Sequence, residues 1–78
     1  MKKFIVEFEA ADVECKLEVE AHGYEDVKER FMEKLRARET GGLLIGTHDR
    51  KEEQAAQDFM FNGRIKNHHI KRTKKLED

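Results

Sequence analysis

The chain has 78 residues, 42% of them charged, and its formal net charge at neutral pH is only −1. A chain of this length fits one domain and leaves little room for an enclosed active site. Its single cysteine, Cys15, excludes an internal disulfide and a zinc site built from several cysteines of one chain. No segment approaches the ~20 apolar residues that span a bilayer, so we expect no membrane partner and a cytoplasmic protein.

The charges are unevenly distributed along the chain. Residues 1–33 contain five basic and ten acidic residues, whereas residues 64–78 contain six basic and two acidic residues. The near-neutral sum therefore hides an acidic beginning and a basic end. The basic end is the segment in which we look for a binding site.

Alternation of apolar and charged residues predicts two strands at the start. Phe4, Val6 and Phe8 fall on one side of residues 3–9, and residues 13–21 alternate in the same way. The short link over residues 10–12 predicts a hairpin, with a dry face toward the core and a wet face rich in glutamate.

Residues 24–39 are predicted to form a helix. Its buried stripe has helical spacing and comprises Tyr24, Val27, Phe31 and Leu35, with Met32 beside it. Acidic residues at its start and arginines near its end suit the helix dipole. Gly41 and Gly42 are predicted to end the helix.

The second half of the chain predicts further strands. The apolar residues 43–45 suit a strand buried on both faces, and the polar residues 47–57 suit a loop or a short helix over 52–57. Asn62 and Gly63, flanked by strand-forming residues, predict a hairpin with strands at 58–61 and 64–66.

The last residues of the chain leave three structures open. Ile65 and Ile70 would point to opposite faces of one regular strand. Either a bulge or turn at residues 67–68 brings them to the same face, or the strand ends there. A C-terminal helix is the rival interpretation, and poor helix formers such as His68, His69 and Thr73 count against it. Residues 74–78 are predicted to be a frayed tail.

These elements give the order β-β-α-β-β-β. The predicted fold is one small α+β domain over residues 1–73, with a mostly antiparallel sheet of four to five strands. The single predicted helix packs on the dry face of the sheet.

No group of residues predicts a catalytic or metal centre. Gly41 and Gly46 have the spacing of a phosphate-binding loop, but the motif lacks its lysine and follows a helix, so a helix end and a strand kink explain it better. Cys15 falls on the inward face of a strand, which favours packing over nucleophilic chemistry. His68 and His69 are adjacent and cannot both bind one ion from a regular strand. We expect no enzyme, no metal, no cofactor and no small-molecule ligand.

The basic segment over residues 64–75 admits three interpretations. As a nucleic-acid site it would contact phosphates and stack histidines on bases, through Arg64, Lys66, His68, His69, Lys71, Arg72, Lys74 and Lys75. It lacks the interleaved aromatic residues of single-strand binders. Alternatively, residues 64–72 lie beside the glutamates of the first hairpin, where each exposed pair contributes about 0.2–1 kcal/mol. The lysines would also protect a sheet edge from aggregation.

The internal role is the favoured interpretation, so we predict a small non-enzymatic interaction or accessory domain. Its partner would be another protein or a second copy of the chain. The contact would use a sheet edge or the apolar residues 43–45 and 59–61. Nucleic-acid binding through residues 64–75 is the alternative.

Overall fold

The computed structural model describes residues 1–77 as an antiparallel sheet with two helices on one face. The elements are β1 (Lys2–Ala10), β2 (Val13–Ala21), α1 (Tyr24–Ala37), β3 (Leu44–Ile45), α2 (Arg50–Phe61), a 3-10 turn (Asn67–His69) and β4 (Ile70–Glu77). The strand order is β3-β2-β1-β4, and each neighbouring pair is antiparallel. The predicted α+β class is confirmed, with two helices where the sequence predicted one.

The first hairpin is the scaffold of the sheet. β1 and β2 pair along their whole length, from Lys2 opposite Ala21 to Ala10 opposite Val13. Ala11 and Asp12 form the turn with positive φ angles of 50° and 65°, which matches the twist of a two-residue hairpin. The predicted alternation is confirmed, because every second residue is buried from Phe4 to Ala10 in β1 and from Val13 to Ala21 in β2.

Helix α1 packs its apolar stripe on the hairpin. The ring of Phe31 meets that of Phe8 edge to face at 4.9 Å between centroids, and Val27 and Leu35 are buried beside it. Tyr24 was predicted in the same stripe, yet it is 58% exposed, because it is the first helical residue and lies at the end of the stripe.

The end of α1 differs from the prediction. The helix stops at Ala37, because Arg38 takes a left-handed conformation with φ 56° and its N–H donates to the carbonyl of Leu35 at 3.1 Å. Gly41 and Gly42 lie beyond this cap, so the predicted end over these glycines was wrong by two residues or more.

The predicted hairpin around Asn62 and Gly63 was wrong. Residues 50–61 form α2, and Asn62 caps its C-terminus with an N–H bond to the carbonyl of Asp58. Gly63 has a φ of +71°, and this conformational freedom ends a helix as readily as it makes a hairpin turn. Ala56 and Met60, four residues apart, form the buried stripe that holds α2 on the sheet.

The strand predicted over residues 43–45 is short and lies at the sheet edge. β3 pairs only with Cys15 and Lys16 of β2, and Leu44 is 62% exposed, so burial on both faces was wrong. Gly46 follows β3 and donates its N–H to the carbonyl of Glu14 at 2.7 Å. A Cβ on Gly46 would lie 2.7 Å from that oxygen, so the close approach requires glycine.

The C-terminal segment is a strand, not a helix or a frayed tail. A 3-10 turn over Asn67–His69 resets the chain, and β4 then pairs with β1 from Ile70 onward. Residues 74–77 belong to this strand, and Asp78 lies outside the described residues. The second long edge of β1 provides the backbone partners that hold these residues.

The N-cap of α2 gives a stability prediction. Asp49 Oδ1 accepts hydrogen bonds from the N–H groups of Lys51 at 2.8 Å and Glu52 at 3.1 Å. We expect Asp49→Ala to lower the free energy of unfolding by about 1 kcal/mol, measured by urea denaturation. Asp49→Asn should keep most of that stability, and equal losses for both variants would contradict the capping role.

Candidate functional site

The face of the sheet that carries no helix holds rows of alternating charge. In one row, Lys16 of β2, Glu7 of β1 and Arg72 of β4 lie side by side in register. Directly opposed residues of neighbouring strands project from the same face, so these three charges are neighbours. We call this surface the open face.

One row of the open face begins with a repulsive pair. Glu9 and Glu14 are directly opposite each other in the first hairpin. Lys71 relieves this repulsion, because its Nζ lies 2.8 Å from Oε1 of Glu9. The cation comes from β4, which is the neighbour of β1 on the other side.

A bulge in β4 makes this arrangement possible. Arg72 pairs with Glu7 and Ile70 pairs with Phe8, so Lys71 is the extra residue between them. Lys71 reaches Glu9 and Arg72 lies opposite Glu7, so two consecutive cations share the open face. A regular strand would have sent one of them to the helix side.

The structure places the predicted basic segment in a loop over residues 64–66, a turn over Asn67–His69 and the strand β4. Arg64 and Lys66 lie in the loop after α2 and belong to no strand, so their predicted place beside the glutamates was wrong. Lys71 and Arg72 do lie beside the glutamates, as the internal interpretation required. The chain reaches the sheet only at Ile70, and this late start separates the two groups.

The two histidines form the turn between these parts. His69 Nδ1 accepts a hydrogen bond from the backbone N–H of Lys66 at 2.8 Å, and its ring meets that of Phe59 edge to face at 5.0 Å. The rings of His68 and His69 are 4.0 Å apart. These contacts hold the turn that starts β4, and within residues 1–77 no three His, Cys, Asp or Glu side chains form a group suited to a metal ion.

Lys74 and Lys75 occupy opposite sides of β4. Lys74 lies opposite Ile5, on the open face, and Lys75 lies opposite Phe4, on the side of the helices. Lys71, Arg72, Lys74 and Lys75 are all exposed, so both sides of the edge strand carry positive charge.

The two edges of the sheet differ in how far other parts of the chain cover their backbone. On the β2 edge, β3 pairs with two residues, and Lys34 of α1 donates from Nζ to the carbonyl oxygen of Glu18 at 3.0 Å. Gly42 lies close to the same glutamate: a Cβ placed on Gly42 would be 3.3 Å from the Cβ of Glu18. Strand, loop and lysine thus cover the backbone of β2.

The β4 edge has no such cover within residues 1–77. No strand pairs with its outer side, and its extensive contacts are with β1. Alternate residues along this eight-residue strand therefore present outward-facing N–H and C=O groups that no other strand pairs within residues 1–77. The candidate functional site is this basic edge strand.

Cys15 plays a structural part in the sheet. Its side chain is 2% exposed, and burial raises the pKa of its thiol to about 11, although the backbone N–H of Gly46 lowers it. A protonated, inaccessible thiol is not a nucleophile, and the packing role predicted for Cys15 agrees with its burial.

Two residues that shape the site gave no usable signal in the sequence. Lys34 is one of several charged residues in the predicted helix, and its contact with Glu18 depends on how α1 crosses β2. Tyr24 read as part of the core, and only its position at the first turn of the helix reveals its exposure.

Comparisons with models of protein families, with curated proteins and with solved structures give no match to this chain. Neither helix in the described part of the chain is long and apolar enough to cross a membrane.

The ion pair between Glu9 and Lys71 gives a prediction for a double-mutant cycle. Glu9→Gln and Lys71→Met should show a coupling energy of about 0.2–1 kcal/mol in the free energy of unfolding. Salt near 1 M should reduce the coupling, because the Debye length falls to about 3 Å. Glu9→Gln combined with Lys51→Met is the additive control, and a coupling that ignores salt would contradict the pairing.

The buried thiol gives a prediction for alkaline pH. Between about pH 9 and pH 11 the thiol of Cys15 is ionised in the unfolded chain and protonated in the fold, so stability falls as pH rises. The fall is at most about 1.4 kcal/mol per pH unit. Cys15→Val should remove this part of the slope in denaturation curves, and identical slopes for both proteins would contradict the burial of the thiol.

Proposed function

We propose that this protein is a small non-enzymatic interaction domain that takes up an extended acidic segment of another protein as a fifth strand beside β4. Strand addition to an exposed sheet edge is a common mode of peptide recognition, in which backbone hydrogen bonds provide affinity and alternate side chains provide specificity. The proposed compartment is the cytoplasm, where a lone thiol such as Cys15 stays reduced.

The observation that supports this proposal most is the difference between the two sheet edges. The chain uses β3, Lys34 and the loop at Gly42 to cover β2, and it leaves the longer β4 edge uncovered within residues 1–77. Exposed edges promote aggregation, and proteins usually cover or disrupt them. An uncovered edge of eight residues suits a site kept for a partner.

The charge of β4 identifies the kind of partner. Arg72 and Lys74 project on the open face at the edge, where the side chains of an added strand would lie directly beside them. Each opposite-charge pair across neighbouring strands contributes about 0.2–1 kcal/mol, and like charges are destabilising. An acidic strand is therefore favoured over a basic one.

A second copy of the chain fits this edge less well. Antiparallel pairing of two β4 strands about Thr73 would oppose Arg72 of one copy with Lys74 of the other, so cations would face cations. The same lysines that attract an acidic segment thus hinder self-pairing, in line with the edge-protecting role considered from the sequence. Homodimerisation stays a prediction, to be tested by sedimentation.

The other predicted contacts have less support. Phe59 packs against His69, and the guanidinium of Arg38 lies 5.6 Å from the ring centre of Phe61, so both rings have neighbours of their own. Nucleic-acid binding stays a prediction. Lys71 and Arg72 lie next to glutamates, which repel phosphate.

NMR titration of the ¹⁵N-labelled protein tests the proposal. The probe is an eight-residue peptide that alternates threonine with glutamate, matched to the length of β4. At low salt we expect it to shift the amide signals of residues 70–77, whereas a threonine–lysine peptide should not. Lys74→Glu should abolish most of this preference, because it leaves Arg72 beside a new acid, and Lys51→Glu, an exposed charge change in the first turn of α2, should leave the preference unchanged.

A proline control separates strand addition from general charge attraction. A peptide of the same charge with proline in place of threonine lacks half of the backbone donors that a strand needs. Equal shifts with this peptide, shifts outside β4, or no shifts at millimolar peptide would each overturn the proposal. Salt-dependent shifts with short DNA or RNA, and none with the acidic peptide, would support the nucleic-acid alternative.

A further inference from the structure

A groove of 290 Å³ runs along the helix side of β4, between that strand and α1. Its lining is mostly apolar, with Val6, Tyr24, Val27, Phe31 and Ile70, and it also includes Lys28, Asn67 and Thr73. The volume falls just below the range of about 300–1,000 Å³ that is typical of small-molecule pockets. It suits a few aliphatic side chains.

The groove exists because the helices cover only part of the sheet. α1 makes its extensive sheet contacts with β2, and neither helix makes such contacts with β4 within the described residues. Thr73 and Ile70 face the helix side, opposite Val6 and Phe8 of β1, and both are only half-buried. The edge strand therefore has an incompletely covered inner face.

Tyr24 forms the wall of the groove on the side of α1. Its ring meets the buried ring of Phe4 edge to face at 5.0 Å, and this contact fixes the ring in place. The residue is nonetheless 58% exposed, so most of an aromatic surface faces solvent beside the groove. An amphipathic ring in this position suits contact with a ligand that is partly apolar.

Strand addition would bring side chains directly over this groove. A strand added to β4 lies about 4.8 Å further out, and its alternate side chains point to the same side as Ile70 and Thr73. The other side chains point to the open face, beside Arg72 and Lys74. One face of an added strand therefore meets a mostly apolar groove, with Lys75 further along the same side, and the other face meets a row of cations.

We infer that the segment recognised at β4 alternates apolar with acidic residues, and that Tyr24 and the groove beneath it select the apolar positions. This inference rests on the proposed function, because it describes the side chains of the strand proposed to add at the edge. In this arrangement the groove and Tyr24 determine which side chains are preferred, whereas the backbone hydrogen bonds of the added strand do not distinguish between side chains.

Two peptides of equal charge test the inference by the same NMR titration. One alternates valine with glutamate and the other alternates serine with glutamate. We expect the wild-type protein to bind the valine peptide about tenfold more tightly, because partial burial of two valines supplies that difference. Tyr24→Ala should reduce the preference to about twofold or less while the serine peptide still shifts the signals of β4.

Matched variants guard against loss of the fold. Tyr24→Phe keeps the ring and should keep the preference, and Leu44→Ala removes an equally exposed apolar side chain at the other edge and should leave it unchanged. Thermal denaturation of each variant checks that it is folded. A preference that survives Tyr24→Ala, or falls equally with Leu44→Ala, would overturn the inference.

The outcomes separate the inference from the proposed function. Equal binding of the two peptides, with shifts confined to β4, would overturn the inference and leave strand addition standing. Absence of shifts in β4 with either peptide would overturn both. A clear preference for valine that depends on Tyr24 would support both.

Discussion

Repulsion among the glutamates of the first hairpin is the constraint on which the sheet depends. Glu9 and Glu14 face each other across β1 and β2, and the alternation that buries the apolar residues places these acids on the open face. Within the hairpin Lys16 lies opposite Glu7, and the cation beside Glu9 comes from β4, the other neighbour of β1. A bulge in β4 turns both Lys71 and Arg72 toward the acids. Strand order and the basic character of β4 then follow together.

The same constraint makes the two edges of the sheet unequal. The β2 edge carries acids, and a lysine from α1 and the short β3 cover its backbone. The β4 edge carries cations that lie beside the glutamates of β1. Within residues 1–77, no strand pairs with the outer side of β4. A basic edge repels its own copies and attracts acidic strands. In the proposed function, the residues that stabilise the fold would therefore also determine which partner the edge accepts.

The sequence predicted those elements whose signal is periodic and local. The alternation of β1 and β2 and the stripe of α1 were read correctly, because each follows from burial of one face. The alternative of a short helix over residues 52–57 lies within α2, but the full helix was not predicted, because Phe59, Met60 and Phe61 resemble a strand before an Asn-Gly turn. A turn at residues 67–68 was among the alternatives, but the extent of β4 beyond it was not predicted, because two register shifts break its period of two. At the site, the pairing of the basic end with the acidic hairpin was predicted. Which basic residues form that pairing depends on where β4 begins, and the sequence did not show this.

The rows of charge on the open face are the reason to propose an acidic strand as the partner of the β4 edge. Lys16, Glu7 and Arg72 alternate in sign across β2, β1 and β4, and Arg72 is the last member of the row. An acid placed beside Arg72 by an added strand continues the alternation, and a lysine there would end it with two like charges. Arg72 already lies beside Glu7, so its charge is shared between an internal and an external acid. The external contact would therefore be weakened, and the affinity of the proposed partner would depend largely on the backbone of the added strand and on the groove beside Tyr24.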